Sequence, residues 1–322
     1  MGTNQTFGRL KKLGEKIVER AKKISFPLFD GVPLYDVAVF FWRSIVDGSI
    51  TTRASAIAFS FFVALFPFII FLFTLIPYIK IPNFQDELFL FIKQMVPSST
   101  FSTIEDTLIE IITIPRSDRL SINFFAALFF ATNGLAGMMS AFDATIHSIQ
   151  GRSWWSQRIT AIYMLIVLSV LLTIAIALLT GGQQLINYLD RINIIRDDFL
   201  VFFLTISKWV ITVALFFFAY SFLYYMAPAK KIKWRFISAG GTLTTVLSIV
   251  GLIGFTYYIN NFSQYNALYG SIGTLLIILL LMYLMSLILL IGFELNASIY
   301  EAHTQQSDDN KSKKSIFGRS GN

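Results

Sequence analysis

The sequence predicts an all-α, polytopic membrane protein with six transmembrane helices in one bundle and both termini in the cytoplasm. Hydrophobic residues make up 55% of the 322 residues and charged residues only 14%, whereas a soluble domain carries about 25% charge. Six continuous apolar runs are each long enough to cross a bilayer, which takes about 20 residues, and such runs favour helices over a barrel. The predicted spans cover residues 54–78, 121–142, 159–180, 199–226, 236–259 and 271–300.

The positive charges indicate the orientation of the bundle. Nineteen of the 26 Lys and Arg residues fall on the side of the N-terminus, six fall on the other side, and Lys208 lies within a span. Cytoplasmic loops are enriched in Lys and Arg, so both termini are expected in the cytoplasm. The net charge of +7 is then a topology signal, and no nucleic-acid partner is expected.

Residues 1–36 form a basic cytoplasmic segment in which apolar residues recur at helical spacing. We expect an amphipathic helix on the inner leaflet that contacts membrane lipid, in particular anionic phospholipid. A tail that only sets the topology is the alternative. The predicted lipid contacts in this segment and in the loop before the fifth span are Lys11, Lys12, Lys16, Arg20, Lys230, Lys231, Lys233 and Arg235.

The predicted transmembrane domain covers residues 37–300. Between its first two spans, residues 84–112 show two apolar helical faces separated by a Pro-Ser-Ser break. This pattern predicts an extracytoplasmic helical hairpin, and an amphipathic loop packed on the membrane is the alternative. Residues 301–322 are predicted to form a flexible basic cytoplasmic tail.

Two features of the early spans carry both a packing and a transport interpretation. Pro67 and Pro77 interrupt the first span, and each removes a backbone donor and can kink the helix. Asn133 and Gly134 lie in the second span, where small residues let helices approach closely in lipid. The transport interpretation makes Asn133 and Gly134 a polar point on a substrate path.

Lys208 is the cation that lies deepest in a predicted span. It lies nine residues after Phe199, which places it near the midplane of a core about 30 Å thick. A Lys at that depth costs roughly 2.5–3.5 kcal/mol on insertion scales and is expected to be functional. Snorkelling to an interface is the alternative.

Glu294 lies near the inner end of the last span, too far along the helix to pair with Lys208. Inner-end cations such as Arg53 or Arg235 are the expected partners. We therefore group Arg53, Asp143, Glu294 and Asn296 in one cytoplasmic polar cluster, which acts either as a gate or as a structural ion-pair belt.

The sequence lacks the residues that metal, cofactor and ATP-binding sites require. The chain has no Cys and two His, so no metal site and no cofactor are expected. The sequence also contains no Gly-rich loop ending in Gly-Lys-Ser or Gly-Lys-Thr, so any transport would not be driven by ATP bound to this chain.

Four sequence blocks resemble the YihY / virulence factor BrkB family of bacterial inner-membrane proteins. They are residues 52–59 (TRASAIAF), 227–235 (APAKKIKWR), 269–273 (YGSIG) and 292–297 (GFELNA). The resemblance covers roughly residues 35–300 and implies a multi-pass protein of the bacterial inner membrane with six helices. By family motif, it also singles out Arg53, Pro67, Gly270, Glu294 and Asn296.

We expect an inner-membrane transporter or a protein that translocates a lipid or another amphiphile. The alternative is a non-transporting membrane scaffold that recruits partners or anionic lipid. Some members of the family carry the name ribonuclease BN, which leaves a membrane-associated ribonuclease as a remote alternative. A nuclease needs several His and acidic ligands in one place, and the acidic groups 105–110 and 190–198 are predicted outside the cell, so we expect no enzyme.

Overall fold

The computed structural model describes residues 31–47, 49–75, 120–145, 152–191, 198–229, 237–261 and 271–319, with single positions at 89 and 109 and several between 19 and 29. Seven long helices occupy these residues, and no strand occurs among them. The helices are α1 (Leu34–Asp47), α2 (Ile50–Leu75), α3 (Leu120–Thr145), α4 (Trp154–Arg191), α5 (Asp198–Met226), α6 (Ala239–Asn261) and α7 (Ser271–Arg319).

Six of these helices, α2 to α7, are long and apolar enough to cross a membrane. This confirms the six spans predicted from the sequence. Their apolar stretches are Ile50–Ile69, Phe125–Thr145, Trp154–Ala175, Phe202–Met226, Ala239–Ile259 and Leu275–Ser307.

The third span begins earlier than the sequence predicts. Helix α4 starts at Trp154 instead of residue 159, because Ser153 caps it. The Ser156 N–H donates to Ser153 Oγ over 3.4 Å, and the Gln157 N–H donates to Ser153 O over 3.0 Å. Ser is a favoured N-cap residue. Arg158, which the sequence places in a loop, is therefore part of a membrane helix.

The last helix ends later than the sequence predicts. Helix α7 continues through Arg319, so most of the tail predicted to be flexible, residues 301–322, is helical. The physical reason is that no Pro interrupts the chain after the last span, and an established helix propagates where no breaker stops it.

The six spans form a closed ring. Each helix from α2 to α6 packs against the next one along the chain, and α7 packs back against α2. Helix α1 lies outside the ring, against α7 and α2. Val37 of α1 is buried with Ile299 and Ala302 of α7. We call the end of the bundle where α1 lies the α1 end.

Small residues allow the helices of the ring to approach closely. A Cβ atom on Gly134 of α3 would lie 2.7 Å from Phe61 Cδ1 of α2, and one on Gly251 of α6 would lie 2.8 Å from Ile288 Cδ1 of α7. Real Cβ atoms do not approach that closely. Gly134 therefore allows α2 and α3 to pack closely, and its transport interpretation stays a prediction.

Candidate functional site

A buried carboxylate joins four helices at the α1 end. The Glu294 side chain on α7 is fully buried and forms an ion pair with Arg53 Nη2 on α2. Ser44 Oγ on α1 donates a hydrogen bond to Glu294 Oε2, and Thr145 Oγ1 on α3 donates to Glu294 Oε1 over 2.9 Å. We call Ser44, Arg53, Thr145 and Glu294 the carboxylate cluster.

Helical spacing on α3 explains how Arg53 is held. Its Nη1 donates to Ala141 O over 3.2 Å and also to Thr145 Oγ1. Ala141 and Thr145 are four residues apart and therefore share one face of α3. A buried carboxylate needs a compensating charge and hydrogen-bond donors, and the cluster supplies both. The cluster thus ties α1, α2, α3 and α7 together.

Two residues that the sequence grouped with this cluster lie outside it. Asp143 is two residues before Thr145 on α3, and Asn296 is two residues after Glu294 on α7. Side chains two residues apart on a helix point about 200° apart, so neither faces the cluster. The predicted four-residue cluster is wrong for Asp143 and Asn296. Of the two cations named as expected partners of Glu294, Arg53 forms the ion pair, and Arg235 lies outside the described residues.

Asp143 and Asn296 instead hold the two ends of the connection between α5 and α6. The Ala229 N–H, just after α5, donates to Asp143 Oδ1 over 2.8 Å. At the start of α6, the Gly240 N–H donates to Asn296 Oδ1 over 2.8 Å, and Asn296 Nδ2 donates to Ser238 Oγ over 3.0 Å. Both polar side chains thus have a structural role in positioning backbone.

Three fully buried aromatic side chains lie next to the carboxylate cluster, and two of them are within one turn of Thr145 on α3 and of Glu294 on α7. Phe142 of α3 and Phe293 of α7 stack with their ring centroids 3.9 Å apart, at an interplanar angle of 6°. Tyr224 of α5 lies 5.8 Å from the Phe142 ring and 5.9 Å from the Phe293 ring. We call these three residues the aromatic layer. It fills the middle of the ring with side chains from three helices.

Tyr224 also ties α5 to the two neighbouring helices. Its hydroxyl donates to Leu289 O of α7 over 2.7 Å, so the hydrogen bond between Tyr224 and Thr244 of α6 takes its proton from Thr244. All three partners are buried, where each unmade hydrogen bond is costly.

We expect Tyr224→Phe to lower the free energy of unfolding by about 1–3 kcal/mol, because Leu289 O and the Thr244 hydroxyl lose a buried partner. Chemical unfolding in detergent micelles measures this loss. Tyr225→Phe is the matched control, since Tyr225 is 58% exposed and its change should be small. Equal stability of the two variants would contradict the described bridge.

An apolar cavity lies on the other side of the aromatic layer. Its volume is about 500 Å³, and it is lined by side chains of α2, α3, α4, α5 and α7. Among the described residues, the lining is apolar except for Tyr220 of α5 and Ser286 of α7. Leu289 lines the cavity and accepts the Tyr224 hydrogen bond. The aromatic layer therefore closes the cavity toward the α1 end.

Lys208 lies beyond the cavity in the opposite direction. It is seven residues before Leu215 and eleven before Ala219, two cavity-lining residues of α5, so these three residues share one helical face. The rise per residue places Lys208 about 10 Å from Leu215 along the helix. Its side chain is partly buried, with Nζ 5.9 Å from the centre of the Trp209 ring.

Arg158 is a membrane-embedded cation that sequence analysis missed. Its Nη1 donates to Asn133 Oδ1 over 2.9 Å, to Phe129 O over 3.1 Å and to Thr132 Oγ1 on α3, and its guanidinium lies 4.1 Å from the centre of the Phe129 ring. Asn133 is therefore held by a neighbouring helix. The helix-start signal at Ser153 was the feature that could have placed Arg158 inside α4.

Some predictions fall outside the described residues. They are the kink at Pro77, the hairpin at 84–112 and the lipid contacts of Lys11, Lys12, Lys16, Lys230, Lys231, Lys233 and Arg235. Pro67 lies inside α2, which continues through it, and Arg20 is exposed. Among the described residues, no three His, Asp or Glu side chains are grouped as metal ligands.

Comparison with known proteins identifies relatives along most of the chain. YfkH of Bacillus subtilis (strain 168), whose name calls it ribonuclease-like, is 28% identical over 250 residues, which cover 78% of this chain and 90% of YfkH. A UPF0761 membrane protein of Psychromonas ingrahamii is 23% identical over 310 residues, covering 94% of this chain and 97% of its own length. No solved structure matches the chain.

A second UPF0761 membrane protein, IL2447 of Idiomarina loihiensis, is 25% identical over 175 residues, which cover 53% of this chain and 59% of that protein. With the six apolar helices, these relatives show a multi-pass protein of the bacterial inner membrane. Residues 41–316 match the family model of virulence factor BrkB, and the chain therefore belongs to the virulence factor BrkB family.

Proposed function

We propose that the protein moves a lipid or a similar amphiphile across the inner membrane, with the central cavity as the site that holds the apolar part of the molecule. The observation that supports this most directly is the cavity of about 500 Å³ within a closed ring of helices. A cavity of this volume falls in the range of ligand sites.

The lining chemistry favours an amphiphile over an ion or a sugar. Apart from two hydroxyl-bearing residues, the walls are Leu, Phe, Ala and Met side chains. A hydrophilic solute would lose hydrogen bonds to water without replacing them there. An acyl chain makes no hydrogen bonds in the bilayer, so it loses none when it moves between such walls. Its head group would then remain outside these apolar walls.

The aromatic layer and the carboxylate cluster are suited to closing the path. Both lie at the α1 end, and they share α3 and α7, since Phe142 and Thr145 are on α3 and Phe293 and Glu294 are on α7. Movement of these two helices would open the layer and the cluster together. We therefore propose that the described arrangement is closed toward the α1 end. No ATP-binding signature was found in the sequence, so the movement is passive, gradient-driven or powered by a partner.

Filling the cavity tests the proposal. In liposomes carrying a fluorescent phospholipid in both leaflets, the wild-type protein should make the inner-leaflet label accessible to a membrane-impermeant quencher. Ala219→Phe places a ring in the cavity and should abolish most of this rate. Ala214→Phe is the matched control, because Ala214 is on the same helix but exposed on the outside of the bundle.

The outcomes separate transport from its alternative. Equal rates for Ala219→Phe and Ala214→Phe, with both variants folded, would show that lipid does not pass through the cavity. If the wild-type protein moves no lipid and deletion of residues 1–36 abolishes its cellular role, a scaffold that recruits partners or anionic lipid would replace the transport proposal.

We also propose that the protein is not a nuclease, whatever the name of YfkH implies for that relative. The purified protein should leave RNA intact in the presence of Mg²⁺. RNA cleavage that co-purifies with the wild-type protein and disappears in Glu294→Gln would contradict this expectation.

A further inference from the structure

The cavity contains a buried hydroxyl group without a protein partner. Ser286 of α7 lines the cavity and is 2% exposed, and its Oγ makes no hydrogen bond to the described residues. Other helical hydroxyls of this protein, such as those of Ser169 and Thr212, donate to the carbonyl four residues earlier. Buried hydroxyl groups normally have a partner, and the Ser286 hydroxyl is therefore available to an acceptor inside the cavity.

A second hydroxyl lies at the same level. The hydrogen bond from Tyr224 to Leu289 O sets α5 and α7 side by side. Tyr220 is four residues before Tyr224, and Ser286 is three residues before Leu289, so both are about one turn from that bond, on the side away from the α1 end. Tyr220 also lines the cavity.

Tyr220 has a proton to donate. Its hydroxyl oxygen accepts a hydrogen bond from Ser248 Oγ over 2.8 Å, which leaves its own O–H available. The cavity walls thus contain two hydroxyl-bearing residues, Tyr220 of α5 and Ser286 of α7, of which Ser286 has no partner among the described residues. No Lys or Arg in the part of the chain that the structure describes lines it, so a phosphate placed there would lack a compensating charge. The donors instead suit a neutral carbonyl oxygen, which accepts two hydrogen bonds.

We propose that the cavity recognises the ester or amide carbonyl that joins an acyl chain to its lipid, and that this carbonyl accepts hydrogen bonds from Ser286 and Tyr220. This inference rests on the proposed function and names its substrate class, acyl lipids. It distinguishes them from ether lipids, which have the same chains and head group but no carbonyl. A site built to hydrogen-bond a group discriminates against the analogue that lacks it.

Paired lipids provide the test. The purified full-length protein in detergent is titrated with a diacyl phosphatidylglycerol and with its diether counterpart, and the rise of the unfolding temperature gives an apparent affinity for each. We expect the wild-type protein to prefer the diacyl lipid by about two- to tenfold, the range of one or two net hydrogen bonds. Ser286→Ala should reduce this ratio close to one while leaving diether binding unchanged.

Two further variants keep the test decisive. Ser221→Ala is the matched control, since Ser221 of α5 is also 2% exposed and without a partner among the described residues but does not line the cavity, so the ratio should persist. Ala219→Phe should weaken the binding of both lipids. Equal affinity of the wild-type protein for both lipids, or an unchanged ratio in Ser286→Ala, would overturn the carbonyl assignment and leave lipid transport standing. If Ala219→Phe weakens the binding of neither lipid, this result would contradict the proposed function itself.

Discussion

Replacement of Arg53 by Met should lower the free energy of unfolding by about 3–5 kcal/mol, because it leaves the fully buried Glu294 carboxylate without its counter-ion. The side chains of Arg53 and Glu294 are 13% and 0% exposed, so solvent screens the pair little. Thr145 also loses its hydrogen bond from Arg53. Four helices meet at this point, and the loss should spread to all of them.

Titration with a denaturing detergent in mixed micelles measures the effect. Arg43→Met is the matched control, since Arg43 is exposed on α1 and its replacement should change the stability by no more than about 1 kcal/mol. The double variant Arg53→Met/Glu294→Leu should recover most of the loss, because apolar replacement of a whole buried pair is often neutral. A loss for Arg53→Met as small as that of the control would mean that the pair is accessible to solvent.

The sequence was sufficient to predict the membrane helices because lipid imposes continuous apolar runs on them. It was less informative at helix ends, which depend on local caps and breakers. Apolar content placed the start of the third span after Arg158, whereas the cap at Ser153 starts α4 before it. In the same way, charge content suggested an irregular tail after residue 300, although nothing in the chain stops α7 there.

The charged part of the site was predictable, and the neutral part was not. Depth along the helix was enough to limit the partners of Glu294 to inner-end cations such as Arg53 or Arg235, and the structure shows that Arg53 is the partner. It could not exclude Asp143 and Asn296, because the face on which a residue lies depends on how each helix is rotated in the bundle. Ser44 and Ser286 gave no signal, since a Ser has the same appearance in a sequence whether or not its hydroxyl has a partner. The cavity could not be predicted from the sequence either, because it depends on how five helices pack together.

A close contact between two glycines, one on α6 and one on α7, leads to the second large effect. Gly240 of α6 and Gly292 of α7 face each other. A Cβ atom on Gly292 would overlap Thr244 Oγ1 and would lie 2.6 Å from the Tyr224 hydroxyl and 2.7 Å from Gly240 O. The Thr244 side chain is held by Tyr224, and Gly240 O belongs to the backbone, so neither can move aside without moving a helix.

We therefore expect Gly292→Ala to destabilise the protein by about 3 kcal/mol or more, at the upper end of overpacking effects. Gly254→Ala is the matched control, because a Cβ atom on Gly254 of α6 would meet nothing within 4 Å. Its effect should not exceed about 1 kcal/mol, and helix propensity makes it favourable. Detergent unfolding of the two variants side by side measures the difference. If Gly292→Ala is as stable as Gly254→Ala, α6 and α7 lie further apart at Gly240 and Gly292 than described.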